Sequence, residues 1–220
     1  MSDAADIAIY GYFRSSAAFR VRIALNLKSI KAELHPIHLR KNQHQSETYK
    51  ALNPQALVPA LVHDGQTIAQ SLAIIEYLDE LHPDPPLLPR DASGRARVRQ
   101  IALSIACDIH PLNNLRVLRY LHHAIRADDQ ARNDWQYHWI VTGFDALEAF
   151  LKASHDTGRF CHGDTPTLAD ICLIPQMANA RRIQMELTNY PTLLRIEEAA
   201  YKLPAFVQAR PENQPDAEKA

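Results

Sequence analysis

The spacing of apolar positions changes early in the chain. Ile7-Ala8-Ile9-Tyr10 is a short β-like run, whereas Val21, Ala24, Leu25 and Lys28 repeat at i, i+3, i+4 and i+7, which is helical spacing. The pattern predicts a strand over 7–12, a polar turn, and a helix over 17–27. Ser15 and Ser16 fall where an N-cap belongs. A helix N-terminus also carries unpaired N–H groups and a partial positive charge, so the same turn suits an anion. Loose alternation over 32–39 predicts a second strand, which Pro36 confines to an edge. A polar loop and a short helical turn through Tyr49-Lys50-Ala51-Leu52 come next.

The second half of Asn53–Val62 is strand-like but contains Pro59, which cannot donate to a sheet ladder. A cis bond at a tight turn leading into the strand is one place for it. Asp64-Gly65 between apolar runs marks a hairpin, with a return strand over 67–70. Ser71 opens a helix with Leu72, Ile75, Tyr77 and Leu78 as its apolar stripe, stopped at His82-Pro83. The order β-α-β-α-β-β-α predicts a small mixed sheet covered by helices.

Proline density over 83–89 marks a stiff linker. Beyond Asp91 the pattern is helical almost to the end, with candidates over 95–108, 113–127 and 129–155 and a further helix from Thr167. No strand pattern occurs there, so the second domain is expected to be all-α. The expected organisation is an α/β domain over 1–85, a linker over 86–91 and a helical domain over 92–220. Thr167 and Asp170 form a capping box, and the residues after them are apolar on every side, which makes this helix central. From Glu212 onward the chain is polar and reads as a loose tail.

Composition narrows the function without naming it. A chain of 220 residues, 46% hydrophobic and 22% charged, is ordinary for a soluble globular protein. A net charge of −1 gives no electrostatic case for nucleic acid or acidic membrane surfaces. No apolar run approaches a membrane span, and no signal-peptide pattern opens the chain. Cys107, Cys161 and Cys172 make an odd count that favours a reducing cytosol and small core hydrophobes. His35, His38, His44 and the His122-His123 pair lack metal-ligand spacing, so no metal site is expected.

Four runs stand out together: Arg14-Ser15-Ser16 followed by Arg20-Val21-Arg22-Ile23-Ala24-Leu25; Ala51-Leu52-Asn53-Pro54 with Val58-Pro59 and Leu61; Gln70-Ser71-Leu72-Ala73-Ile74-Ile75-Glu76-Tyr77-Leu78; and Asp108-Ile109-His110-Pro111-Leu112-Asn113-Asn114. They carry a resemblance to the zeta class of the soluble glutathione transferases. The first resembles the class signature, the second and third the glutathione-binding runs, and the fourth the start of the substrate region. The likeness spans Ile7 to about Phe206. It implies the glutathione transferase fold, a thioredoxin-like α/β domain followed by an all-α domain, as a homodimer with glutathione as cofactor. The implied reaction is cis–trans isomerisation of maleylacetoacetate or maleylpyruvate in aromatic or tyrosine breakdown. Zeta-class members commonly read Ser-Ser-Cys; here the third position is Ala17, so the sulfur must be glutathione's own.

The resemblance also implies roles. Ser15, or alternatively Ser16, holds the thiolate, and either can also cap the helix. Val58 before a cis Pro59 offers its main chain to the peptide part of glutathione, and Gln70 and Ser71 suit the γ-glutamyl carboxylate. His44 and Gln55 are candidates for the glycyl end and flanking contacts; His110 and Asn114 are further cofactor candidates. The substrate is a dicarboxylate, for which arginine's planar fork is suited. Arg14 ranks first, then Arg116 and Arg182, with Asn113, Arg116 and Tyr120 expected on one helix face. A transferase conjugating small electrophiles and a non-catalytic module of the same fold are the alternatives.

Overall fold

β1 (Ala8–Gly11) leads through a turn into α1 (Ser16–Leu27) in the computed structural model, which describes residues 7–218. β2 (Glu33–Pro36) lies parallel to β1 at the edge of the sheet, where the missing N–H of Pro36 breaks no inner ladder. Single turns of 3₁₀ helix at Leu39–Lys41 and Gln43–Gln45 precede α2 (Glu47–Leu52). β3 (Ala60–His63) and β4 (Gln66–Ala69) form the expected hairpin; Asp64 and Gly65 both take positive φ, at 50° and 74°, as the mirror-image hairpin turn requires. α3 (Ser71–Leu81) follows. The sheet has 4 strands in the order β2-β1-β3-β4, with β1 antiparallel to β3 and β3 to β4.

That register decides where the chemistry sits. Tyr10 pairs with Ala60, and Ala60 pairs with Ala69. The turn leaving β1, the approach to β3 through Val58-Pro59, and the exit from β4 through Gln70-Ser71 therefore meet at one end of the sheet. α1 and α3 both begin there, so two helix N-termini point their unpaired N–H groups and partial positive charge to that end. Beneath them Ile9, Val21, Ile23, Leu61, Ile74, Ile75 and Leu78 are buried, each contributing roughly 1.5–3 kcal/mol.

The chain forms two compact units. One runs to Leu87 and takes in the stretch from Tyr201 onward; the other is Leu88–Ala200. This corrects the expectation that the helical domain extends to the C-terminus. α9 (Pro204–Gln208) packs on α1 because Asn26 Nδ2 donates to the Ala205 carbonyl (2.9 Å) and Arg22 Nε to that of Ala209 (3.0 Å). The polar end of the chain is not loose over its described part. A 3₁₀ turn spans Pro211–Asn213, and Gln214 Nε2 donates to the carbonyls of Gln208 and Arg210, both at 2.8 Å.

The helical unit holds α4 (Ala92–Leu103), α5 (Leu115–His123), α6 (Asp129–Ala153), α7 (Leu168–Arg182) and α8 (Pro191–Tyr201), the last running one residue past the unit's edge. α4 starts earlier than its apolar spacing suggests because Asp91 accepts the Gly94 N–H at 2.7 Å and caps it. Its expected continuation is a π-helical turn, Ser104–Ile109, then a 3₁₀ turn, His110–Asn113. α7 opens on the expected capping box and is buried along most of its length. Among the described residues no helix is long and apolar enough to cross a membrane.

Candidate active site

Tyr12 to Ser15 is a tight turn closed by the Ser15 N–H donating to the Tyr12 carbonyl at 3.0 Å. Ser15 is the N-cap of α1: its backbone is extended and its Oγ accepts the Ala18 N–H at 3.2 Å. Ser16 is the first helical residue. Both serines and Ala17 are half-buried, while Arg14 is exposed. A capping hydroxyl keeps its own proton, so Ser15 can cap the helix and still donate outward.

The entry to α3 is built differently. Ser71 opens α3 as expected; Gln70 occupies the cap position before it, with φ of 71°, and makes no side-chain cap. A non-glycine residue with such a φ is strained and persists only where its surroundings fix it. Gln70 Nε2 donates to Gln55 Oε1 at 2.9 Å, which brings two of the sequence-derived cofactor residues together. Ser71 is buried, and its Oγ accepts from Arg20 Nη1 at 3.3 Å. Arginine can only donate, so the Ser71 proton stays available to an acceptor at the helix end.

Between these lies the cis peptide Val58-Pro59. The preceding carbonyl, Leu57, accepts from Tyr49 Oη (2.7 Å) and Asn53 Nδ2 (2.8 Å), which pins the loop just before Val58. Burial raises the Tyr49 hydroxyl to about 12, so it remains a donor. His44, expected on a polar surface loop apart from the resemblance, is buried at 8% exposure. Gln55 is exposed and Val58 half-buried.

In the helical unit, His110 is half-buried. Asn114 caps α5, its Oδ1 accepting the Arg116 N–H at 3.1 Å. Arg116 and Tyr120 are exposed, but Asn113 does not share their face. It precedes α5, is buried, and donates from Nδ2 to the Ile109 carbonyl at 3.0 Å. Arg182 is exposed at the end of α7 and donates to Asn179 Oδ1; Arg181 is held by Glu197. All three cysteines belong to this unit, with Cys107 exposed and Cys161 and Cys172 buried. Burial pushes the Cys161 thiol well up. Among the described residues no group of His, Cys, Asp and Glu could hold a metal.

Sequence reasoning missed Arg20, Arg22 and Asp216. The signal for the first two was present: arginines at 20 and 22 interrupt the most apolar stretch of α1, yet both are buried, at 1% and 8% exposure. Asp216 carried no local signal.

A four-stranded mixed sheet with a cis proline and paired helix N-termini, followed by an all-helical unit, is the architecture of the glutathione transferases. Residues 14–81 match the family model for the glutathione S-transferase N-terminal domain. A maleylpyruvate isomerase of a Ralstonia species is 50% identical, over 95% of this chain and 99% of its own length. The holo structure of maleyl pyruvate isomerase, a bacterial glutathione S-transferase of the zeta class, matches with a TM-score of 0.94 and 49% identity, covering 96% of this chain and 100% of that one. A maleylacetoacetate isomerase of Anaeromyxobacter dehalogenans, with dicarboxyethyl glutathione and citrate bound in its active site, matches with a TM-score of 0.86 and 40% identity over 99% of this chain and 100% of its own. The chain belongs to the zeta-class glutathione transferases, the family of the maleylpyruvate and maleylacetoacetate isomerases.

Proposed function

We propose that the protein is an enzyme that uses glutathione to isomerise a maleyl-keto acid, maleylpyruvate or maleylacetoacetate, to its fumaryl form. The observation that carries this reading is the convergence of Ser15, Val58-Pro59 and Gln70-Ser71 at one end of the sheet, where α1 and α3 both begin. The residues fit the cofactor: α3 has no side-chain cap, so its first N–H groups and the Ser71 proton can meet a carboxylate. The relatives' bound ligands support the same reading, since dicarboxyethyl glutathione joins the cofactor's sulfur to a dicarboxylate carbon skeleton.

When bound, glutathione would supply a thiolate nucleophile for reversible addition to the conjugated double bond, the chemistry that permits rotation without consuming the cofactor. Ser15 donates its hydroxyl proton to the sulfur and, with the α1 N-terminus, favours the anion at neutral pH. Ser16 is the alternative donor. Val58 offers its main chain to the peptide part of glutathione in strand fashion. Gln70 and Ser71 hold the γ-glutamyl carboxylate, and Gln55 braces Gln70. His44 in the α/β unit, and His110 and Asn114 in the helical unit, are the further cofactor candidates. Arg14 in the α/β unit is the first candidate for a substrate carboxylate, and Arg116 and Arg182 in the helical unit are the next. A homodimer in the cytoplasm completes the proposal; the exposed thiol of Cys107 suits a reducing compartment.

Purified protein with glutathione and each maleyl substrate tests it: fumaryl product forms while glutathione is not consumed. Glutathione lost in step with turnover would instead mark a conjugating transferase. No glutathione-dependent isomerisation of either substrate overturns the proposal. Light scattering reports the assembly.

A further inference from the structure

The turn that presents Ser15 is held from behind by the far end of the chain. The Phe13 N–H donates to Asp216 Oδ2 at 3.0 Å, across 203 residues of sequence. The Phe13 carbonyl accepts from Arg22 Nη2, also at 3.0 Å. Both backbone polar groups of Phe13 are thus taken by charged side chains, and Phe13 is the second residue of the turn closed by Tyr12 and Ser15. A turn leaves the N–H of that residue unused, so the Asp216 bond adds a constraint that the turn lacks by itself.

The clamp is anchored rather than draped. Arg22 also donates from Nε to the Ala209 carbonyl at 3.0 Å, which ties α1 to the start of the tail. Burial lowers Arg22 to about 10 and the Asp216 charge works against that, so the guanidinium is cationic at neutral pH. Beyond Asp216, Glu218 Oε1 lies 2.8 Å from His38 Nε2, and the Ala217 N–H donates to the Gln214 carbonyl at 3.0 Å. The tail, β2 and the turn line a cavity of about 30 Å³ that includes Tyr12, Phe13, His35, Gln214 and Asp216.

We infer that Asp216, with Arg22, is a positioning residue for the Arg14-Ser15 turn, and that the C-terminal strap fixes the Ser15 hydroxyl where the cofactor's sulfur needs it. The inference rests on the reading that Ser15 meets the thiolate. A hydroxyl acting on a thiolate must be held to a fraction of an ångström; Ser15 is held on its helix side by the Ala18 and Phe19 N–H groups, and on its other side by the turn that the strap braces. The strap acts through the Phe13 peptide, touching neither cofactor nor substrate. It therefore governs the chemical step more than cofactor binding, which other loops carry.

The test uses the full-length protein carrying Asp216→Ala or Asp216→Asn, with Glu212→Gln as the control, and beside them a chain truncated after Arg210. Asp216→Ala is expected to lower kcat about tenfold while the glutathione KM stays within about twofold. Asp216→Asn keeps an oxygen that can accept the Phe13 N–H and restores most of that loss. Hydrogen–deuterium exchange of the segment 12–16 should rise about tenfold in Asp216→Ala, with β1 and β3 unchanged. The truncation should match Asp216→Ala. Unaltered exchange in Asp216→Ala, exchange that rises equally across β1 and β3, a loss carried wholly by KM, or Asp216→Asn as impaired as Asp216→Ala each overturns the inference. Should the wild-type protein fail to isomerise, the functional proposal falls and the exchange measurement alone decides the strap.

Discussion

Arg20 Nη1 lies 3.3 Å from Ser71 Oγ, and the arginine is 1% exposed. A cation buried under the N-terminus of α3 adds its charge to that of the helix end and fixes the direction of the serine hydroxyl. This relationship links the two helices whose N-termini define the site.

Ser71→Ala should raise the glutathione KM by about tenfold, or ~1.4 kcal/mol, and leave kcat near the wild-type value. In the proposed function the hydroxyl meets the carboxylate end of the cofactor, far in bonds from the sulfur, so its loss is expected to weaken binding in ground and transition states alike. Steady-state kinetics with glutathione varied at saturating maleyl substrate measures it. A fall in kcat with KM unchanged would remove Ser71 from the carboxylate.

Ser15 and Ser16 separate on two readouts. Ser15→Ala removes the bond to the Ala18 N–H and should cost about 1 kcal/mol of stability, the usual value for a lost N-cap. It should also lower kcat by about a hundredfold, the size of effect seen when one donor to a developing or stored anion is lost. Ser16→Ala, inside the helix, should change stability by under roughly 0.5 kcal/mol, since alanine is the better helix former. Urea unfolding and kcat for both variants decide which serine serves the sulfur; a large kcat loss confined to Ser16→Ala assigns the role to Ser16.

What could be read from the sequence was what local physics encodes. The Ser15 cap, the Asp64-Gly65 hairpin, the proline before β3 and the Thr167-Asp170 box each depend on a few adjacent residues and were visible as such. Long-range polar contacts were not. Arg20 and Arg22 interrupt the apolar stretch of α1, and each is buried against a partner, Ser71 or Ala209, supplied from elsewhere in the chain. Lys28 fell on the apolar stripe of α1, and its burial explains why. The tail was misread because composition alone cannot show that Asp216 meets a backbone N–H left over at the other end of the protein. The start of α3 at Ser71 was legible, but the unusual φ of Gln70 before it has no sequence signature.

Lys28 gives a third prediction. Its side chain is fully buried, and its ammonium meets Asp79 Oδ1 at 2.5 Å and the carbonyls of His82 and Pro85, both at 2.6 Å. All three donors are therefore used, and they gather the end of α3 and the start of the linker. Lys28→Met should cost about 3–5 kcal/mol, because the carboxylate and two carbonyls lose their shared donor. Asp79 keeps the Leu87 N–H at 2.9 Å. The double variant Lys28→Met, Asp79→Leu should recover part of the loss. Thermal unfolding of the three proteins checks this; an unchanged melting temperature in Lys28→Met would contradict it.

Asp170 holds the start of α7 together from a fully buried position. Its Oδ2 accepts the Thr167 N–H (2.8 Å) and hydroxyl (3.0 Å), and its Oδ1 accepts the Cys161 N–H (2.8 Å). Asp170→Ala leaves those donors without their acceptor and should cost roughly 3 kcal/mol. The pH dependence has a definite sign. Burial raises the carboxyl's pKa above its ordinary value, with the hydrogen bonds opposing but not cancelling the shift. A carboxyl whose folded pKa is raised contributes most below its unfolded pKa, about 3.9, and less as pH climbs through the folded value. Asp170→Asn has no such titration. The stability difference between wild type and Asp170→Asn should therefore shift in favour of the variant as pH rises from the acid limit through that window, then level off. Urea unfolding of both proteins at a series of pH values measures the slope. A difference that moves toward wild type with rising pH would mean that the three donors favour the ionised carboxylate by more than burial penalises it.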